Sequence, residues 1–342
     1  MTIYFLILLI WLLSITLTLA LFKIWKYPSR FREMAINLSL FTHVCLVLAI
    51  IIEVSSYLFI IQSDSFSFTL ANQRWFQTHW QPINRLGYRD PDYSQEELDT
   101  KRLILVVGDS FVAGQGIPNY QHRFSNRLQA QLGNNWLVAN VAQVGWSTTE
   151  QYQAILNYPY KPALIILSYF IDDIRAAALK SGESFKFKNL ASLPSQPVLN
   201  WLIGNSHFLN YFYWQWYRYH NQQPEDRYWQ YLRQFYATGP AWELHKQELT
   251  QLAKYTQQTQ IQLLPILFPN LVAIDSSQPI LQQITQLFNE LQLTPLNLTP
   301  LFINHSPATL IVNATDAHPN EQVHQWVADE LFKQLATLNI HP

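Results

Sequence analysis

A serine hydroxyl is a weak nucleophile until a base stands ready to take its proton. This chain presents one serine in a suitable setting and one histidine that could serve it. Gly108-Asp109-Ser110-Phe111, followed by Gly114 and Gly116, closes an apolar run at 102–107. A serine at a strand-to-helix turn is held at the carboxyl ends of the strands, where open α/β sheets bind ligands. Its backbone N–H, at a helix start, can also face a developing anion. Near the other end of the chain comes Asp316-Ala317-His318-Pro319-Asn320. An acid two residues before a histidine can bond one ring nitrogen and leave the other free for the serine proton. Such sets are recognised by geometry and role, so their order along the chain is no obstacle. Each motif also has a plainer reading: a serine at a helix N-cap, and a turn that caps the last helix.

The elements between the two motifs must bring them together. Apolar runs at 102–107, 136–141, 163–169 and 261–268 read as strands covered on both faces. Pro265 weakens the last of these, because proline removes a ladder donor. Helical stretches fall at 124–132, 148–156, 242–257, 280–291 and 323–338. Strands alternating with helices predict an α/β fold, a parallel sheet with helices on both faces. Residues 63–100 form a polar, aromatic lead-in with few regular signals. Residues 175–240 break the alternation and read as a helical insertion rich in Tyr and Trp, from Phe208 to Tyr219 and again from Tyr228 to Tyr236. Three readings compete for it: packing on the sheet, a belt at a membrane surface, or a platform for sugars or acyl chains.

With these residues in place, the chain resembles the SGNH (GDSL-type) hydrolase superfamily over about residues 84–338. Gly108-Asp109-Ser110-Phe111 matches its first block, and Val141 to Ser147, with Gly145, resembles the second. Leu167 to Ile174 falls where the third block stands, and Asp316-Ala317-His318-Pro319-Asn320 matches the last. Asn84 to Asp90 looks like the lead-in of membrane-anchored members. The resemblance implies a three-layer, flavodoxin-like α/β domain in an extracytoplasmic esterase, lipase, deacetylase or O-acetyltransferase. By position it implies Ser110 as nucleophile, His318 as general base and then acid, and Asp316 as the group that orients His318. The N–H groups of Ser110 and Gly145 would hold the oxyanion. Two departures stand out. Asp172 occupies the place of an asparagine whose amide donates to the oxyanion, and one lost donor typically costs about 10²–10³ in rate. The acid and histidine are spaced Asp-x-His, and Thr315 fills the commoner acid position. The shorter spacing resembles the branch of polysaccharide O-acetyltransferases.

Composition bounds the rest. The 342 residues allow about two units, at roughly 150 residues per domain. Net charge is −1, and no basic stripe suggests a nucleic acid partner. A single cysteine rules out an intramolecular disulfide and a cysteine-built zinc site. Charged residues make up 13%, about half the soluble norm of roughly 25%, which points to a part in lipid. Residues 3–22 carry no charge, and about 20 residues suffice to cross the hydrocarbon core. A second apolar stretch runs from about 35 to 61. Lys23, Lys26, Arg30 and Arg32 lie between them, which by the positive-inside rule makes that loop cytoplasmic. Trp25 and Tyr27 suit the headgroup level.

The reading is a two-helix transmembrane hairpin at 1–62, a lead-in at 63–100 and an SGNH-like domain at 101–342 on the extracytoplasmic side. The expected activity is serine-based ester hydrolysis, or acyl transfer to a cell-envelope glycan, with no cofactor. Alternatives are a weak or inactive module that binds a glycan or a membrane protein partner, and an esterase acting on membrane lipid. Glu53 lies inside the second apolar stretch, where a carboxyl is a candidate functional residue; the plainer reading puts it near the outer end or packs it protonated against the first helix. Cys45 reads as packing. His324 reads as a packed or solvent-facing helix residue. His122 is near Ser110 in sequence and could line the rim.

Overall fold

The computed structural model describes residues 2–24, 30–183 and 191–341. Trp25, Lys26 and Tyr27 of the basic loop lie outside the described residues. In chain order the helices are α1 (Thr2–Ile24), α2 (Arg30–Phe59), α3 (Leu70–His79), α4 (Gln95–Thr100), α5 (Ser110–Ala113), α6 (Phe124–Leu132), α7 (Thr148–Asn157), α8 (Arg175–Lys180), α9 (Pro197–Asn205), α10 (His207–His220), α11 (Pro224–Phe235), α12 (Pro240–Gln258), α13 (Ile274–Glu290) and α14 (Glu321–Thr337). The strands are β1 (Arg102–Gly108), β2 (Trp136–Ala142), β3 (Leu164–Tyr169), β4 (Gln262–Leu267), β5 (Leu296–Asn297), β6 (Ile311–Asn313) and β7 (Asp316–Pro319).

Ser63–Phe66, Trp75–Ala191 and Gln223–Pro342 make one compact unit. Its centre is a five-stranded sheet of order β2-β1-β3-β4-β5, parallel throughout. Successive side chains of β1 point to opposite faces. Leu103, Leu105 and Val107 enter a core shared with α7, α8, α11, α12 and α13. Ile104 and Val106 enter a second core with α5, α6 and α14. Both faces are therefore covered, which is why β1 reads as an unbroken apolar run. Each fully buried Leu, Ile or Val contributes about 1.5–3 kcal/mol, so the strand that carries Ser110 is firmly held. The strand order reverses between β1 and β3. In sheets of this order the crevice outside the carboxyl ends at that switch point is the ligand site.

Pro265 does sit inside β4, opposite Leu167. The N–H groups of Gln262 and Phe268 point toward β3, bonding Ala163 and Tyr169. By the two-residue period Pro265 points the other way, toward β5, where pairing begins only at Ile266. No ladder bond is lost. The helix expected from 280 begins earlier, at Ile274, and runs through Pro279. The lead-in is more regular than its sequence suggests: α3 and α4 lie in it, and Ser94 and Glu97 form a capping box at the start of α4. Apart from the large sheet, β6 and β7 pair as an antiparallel ribbon, with Asn313 opposite Asp316.

Met1–Gln62, Ser67–Arg74 and Ser192–Gln222 make the other unit. Among the described residues, α2 is the helix long and apolar enough to cross a membrane, and α1 contains a shorter apolar stretch, Leu8–Ala20. The two lie side by side. Ser14 bonds His43 at 3.1 Å, and Thr18 bonds Ser39. Glu53 lies near the end of α2. Its carboxyl accepts the Ser206 hydroxyl at 2.6 Å and the N–H groups of His207 and Phe208 at 2.6 and 3.2 Å. The segment expected as one helical insertion is thus divided. α9 and α10 belong to this unit, and α11 belongs to the sheet unit.

Candidate active site

Ser110 is the first residue of α5, directly after the end of β1. Only glycine fits two positions before it: a Cβ on Gly108 would lie 2.4 Å from the Val112 side chain and 3.0 Å from Ser168 Cβ. Asp109 caps α5, its Oδ1 accepting the Phe111 N–H at 2.8 Å. The N–H of Ser110 belongs to the first turn, whose donors have no intrahelical acceptor.

His318 Nε2 stands 2.8 Å from Ser110 Oγ. Its Nδ1 bonds Asp316 Oδ1, which also accepts the His318 N–H at 3.2 Å. The Asp-x-His spacing works because both residues are on β7, where positions two apart share a face. With Nδ1–H donated to the carboxylate, Nε2 is left to accept the serine proton. The Phe111 ring meets the imidazole edge to face at 5.6 Å and is itself packed by Phe170 and Phe268. Asn320, two residues on, accepts the N–H groups of Gln322 and Val323 and caps α14. The last motif therefore both caps a helix and completes a triad.

All three side chains are buried. Burial opposes the imidazolium, but Asp316, then Asp109 and Asp172, outweigh it and hold His318 above its ordinary value. Burial likewise pushes the Asp316 carboxyl up, and the charge and hydrogen bond of His318 bring it below its ordinary value. The shifts are of opposite sign, as expected for an ion pair.

Gly145 and Asp172 stand at the same edge of the sheet. Ala142 pairs with Gly108, so the loop holding Gly145 leaves β2 beside the end of β1. Gly145 has φ +80°, a left-handed conformation that favours glycine. Its carbonyl accepts a bond from Arg175. Asp172 lies in the turn after β3. Its Oδ2 accepts the Tyr228 hydroxyl at 3.3 Å, and its Oδ1 is buried with no hydrogen-bond partner among the described residues. Burial raises its carboxyl above the ordinary value, although Arg175 pulls the other way. Burial and the charge of Asp172 push Asp109 up to about 7. Asp173 is raised well above its ordinary value by burial and by both neighbouring acids. A carboxyl left unpaired in such a place favours its protonated form.

The remaining histidines have other work. His324 is buried on α14, accepts the Phe124 N–H at 3.1 Å and is pushed down to about 3 by burial and the nearby arginines. His122 pairs with Glu321 at 2.9 Å. The Thr315 hydroxyl donates to Asn313 and has no place in the triad.

Arg89 and Asp90, read in the sequence only as part of a lead-in, are buried and hydrogen-bonded within the sheet unit. The buried Arg89 guanidinium donates to the carbonyls of Gly114 at 2.7 Å, Ile117 at 2.8 Å and His79 at 2.7 Å. It thus fixes the loop that leaves α5. Asp90 pairs with the fully buried Arg123 at 2.9 Å and accepts from Tyr93 and the Asn140 N–H. No feature of the sequence pattern marks these residues as partners, since a buried arginine runs against ordinary burial preference.

No family model and no curated protein matches this chain. Among solved structures it is similar to a psychrotrophic esterase from Pseudoalteromonas sp., at 14% identity and TM-score 0.41, over 70% of this chain and 98% of that one. It is also similar to a carbohydrate acetylesterase from Sinorhizobium meliloti, at 10% identity and TM-score 0.39, over 70% of this chain and 100% of that one. A lipolytic protein of the G-D-S-L family from Desulfitobacterium hafniense stands at 10% identity and TM-score 0.40, over 68% and 98%. Likeness at this level assigns no role to a residue.

Proposed function

We propose that this protein is a membrane-anchored serine esterase or O-acyltransferase of SGNH type. The observation that carries the reading is the 2.8 Å contact of Ser110 Oγ with His318 Nε2, with Asp316 bonded behind it. Ser110 Oγ attacks the ester carbonyl carbon while its proton passes to His318. The carbonyl electrons move to oxygen, and the N–H groups of Ser110 and Gly145 receive that oxyanion. Asp172, in its protonated form, supplies a third donor. Collapse expels the alkoxide, which takes the proton from His318 and leaves an acyl-Ser110. Water or a glycan hydroxyl then attacks the acyl carbon with His318 again as base, and collapse breaks the acyl–Ser110 bond as His318 returns the proton to Ser110 Oγ. Donors aimed at developing charge are usually the largest single contribution to such a reaction.

α1 and α2 form a two-span anchor with the loop between them in the cytoplasm and the sheet unit outside. The acyl ester belongs to a cell-envelope glycan. An acetylated-glycan assay tests this: purified full-length protein releases free acetate, or moves acetate onto an unacetylated glycan, and Ser110→Ala does neither. Release of acyl groups from micellar lipid but not from glycan would redirect the reading to a lipid esterase. Asp172 favours one rival, a binding module with no turnover, because an ionised carboxylate there opposes the oxyanion. A wild-type protein that binds glycan without turnover at any pH would establish that rival.

A further inference from the structure

The helical pair α9 and α10 is built inside out. On α10, Asn210, Trp214 and Arg218 are buried at 3%, 5% and 6% exposure, at spacing four, and form the inward face. The outward stripe is Phe208, Phe212, Trp216 and Tyr219, with Phe212 at 61% and Tyr219 at 85% exposure. A helix facing water puts its apolar stripe inward and its polar residues outward. Here the inward asparagine accepts the Leu70 N–H at 2.9 Å, and Trp214 stacks on Phe68. The large apolar rings are left outside. α9 also exposes large apolar side chains, Val198, Leu199 and Trp201, while burying Ile203. α10 has no acidic residue. An apolar patch of this kind marks a surface that is covered.

Glu53 says what covers it. From Met34 to Glu53 is 19 steps along α2, about 29 Å at 1.5 Å per residue. That is about the thickness of the hydrocarbon core. Glu53 thus falls at its far boundary, and there it accepts the first two N–H groups of α10. α9 packs on α1 and α10 on α2, so the exposed stripe continues the apolar surface of the helix pair. We infer that α9 and α10 lie in the outer interface of the bilayer that α2 crosses, with Phe212, Trp216 and Tyr219 against lipid. Tryptophan and tyrosine are the residues that favour that depth. An interfacial helix buries its apolar face about 5–10 Å into the headgroup and acyl boundary. The inference rests on the proposed span of α2.

Cys45, the single cysteine, is exposed on α2 and serves as the internal control. Full-length protein is labelled there with a fluorophore in phosphatidylcholine vesicles. Phe212→Cys and Tyr219→Cys, each in a Cys45→Ser background, carry the same label, as does Gln95→Cys on α4. The expected result is loss of fluorescence at 212 and 219 with acyl-chain nitroxide lipid and little change with aqueous iodide, the reverse holding at 95. Iodide quenching without lipid quenching at both positions overturns the inference. Shielding from both quenchers also overturns it, and shows that a second copy or a protein partner covers the stripe. If the Cys45 label is itself beyond the nitroxide's reach, the span fails and the inference falls with it. If Cys45 responds and 212 and 219 do not, only the placement of α10 is wrong.

Discussion

His318 must be neutral to take a proton from Ser110. Its value is raised, so its basic form is reached later as pH rises. kcat/KM therefore climbs along a limb centred above 6.5, the ordinary histidine value. A pH profile centred at or below 6.5 would contradict the pairing with Asp316. Asp316→Asn removes the charge that raises His318 and also disturbs its tautomer. The limb should move down, and the rate should fall by about 10⁴, the loss typical of a triad carboxylate turned to amide. Asp172→Asn is predicted to act in the other direction. An amide donates at every pH, whereas the carboxyl donates only while protonated. The variant should match the native protein at low pH and exceed it increasingly as pH rises, by up to about 10²–10³. Paired pH profiles of kcat check this, and a variant slower than native at high pH would contradict it. The proposed triad drew attention in the sequence because each member has a local signature: a serine after a strand-end glycine, and an acid and a histidine two apart. The contact of Asp172 with Tyr228 did not, because the two are 56 residues apart and meet only through tertiary packing.

At the scale of elements, β1, α5 and the loop after it hold Ser110, the proposed nucleophile, and the ribbon β6–β7 holds His318, the proposed base. Asp90 and Arg123 anchor the first group from beneath. Asp90→Ala leaves a fully buried guanidinium without its partner, and thermal unfolding of the solubilised chain should show a loss of about 3–5 kcal/mol. A loss under about 1 kcal/mol would mean that the pair is not what holds this region. Asn320→Ala removes the cap of α14 and should cost only about 1 kcal/mol. Four strands of the sheet were legible as apolar runs. β5 was not, since two residues carry no periodicity. The start of α4 was written in Ser94-Gln95-Glu96-Glu97, a capping box that precedes no apolar stripe and so draws no attention. Pro279 marks a helix start in sequence, yet packing of Ile280, Leu281 and Ile284 carries α13 through it.

At the scale of the whole molecule, the chain joins a unit with an outward-facing apolar surface to a unit whose apolar residues fill two cores. An alkaline carbonate wash should leave the full-length protein in the membrane pellet. In intact cells a membrane-impermeant maleimide should reach Gln95→Cys in a Cys45→Ser background, and reaction only after lysis would reverse the proposed topology. The sequence suggests the proposed anchor by length and charge, and the proposed depth of Glu53 follows from counting. Its partner on α10 does not, because the two are 153 to 155 residues apart. The proposed activity requires that Ser110 be an activated nucleophile. Fluorophosphonate labelling of the folded, full-length protein tests that most directly. The expected result is stoichiometric labelling that disappears in both Ser110→Ala and His318→Ala. A folded wild-type protein that takes no label, or one whose label survives Ser110→Ala, would contradict it.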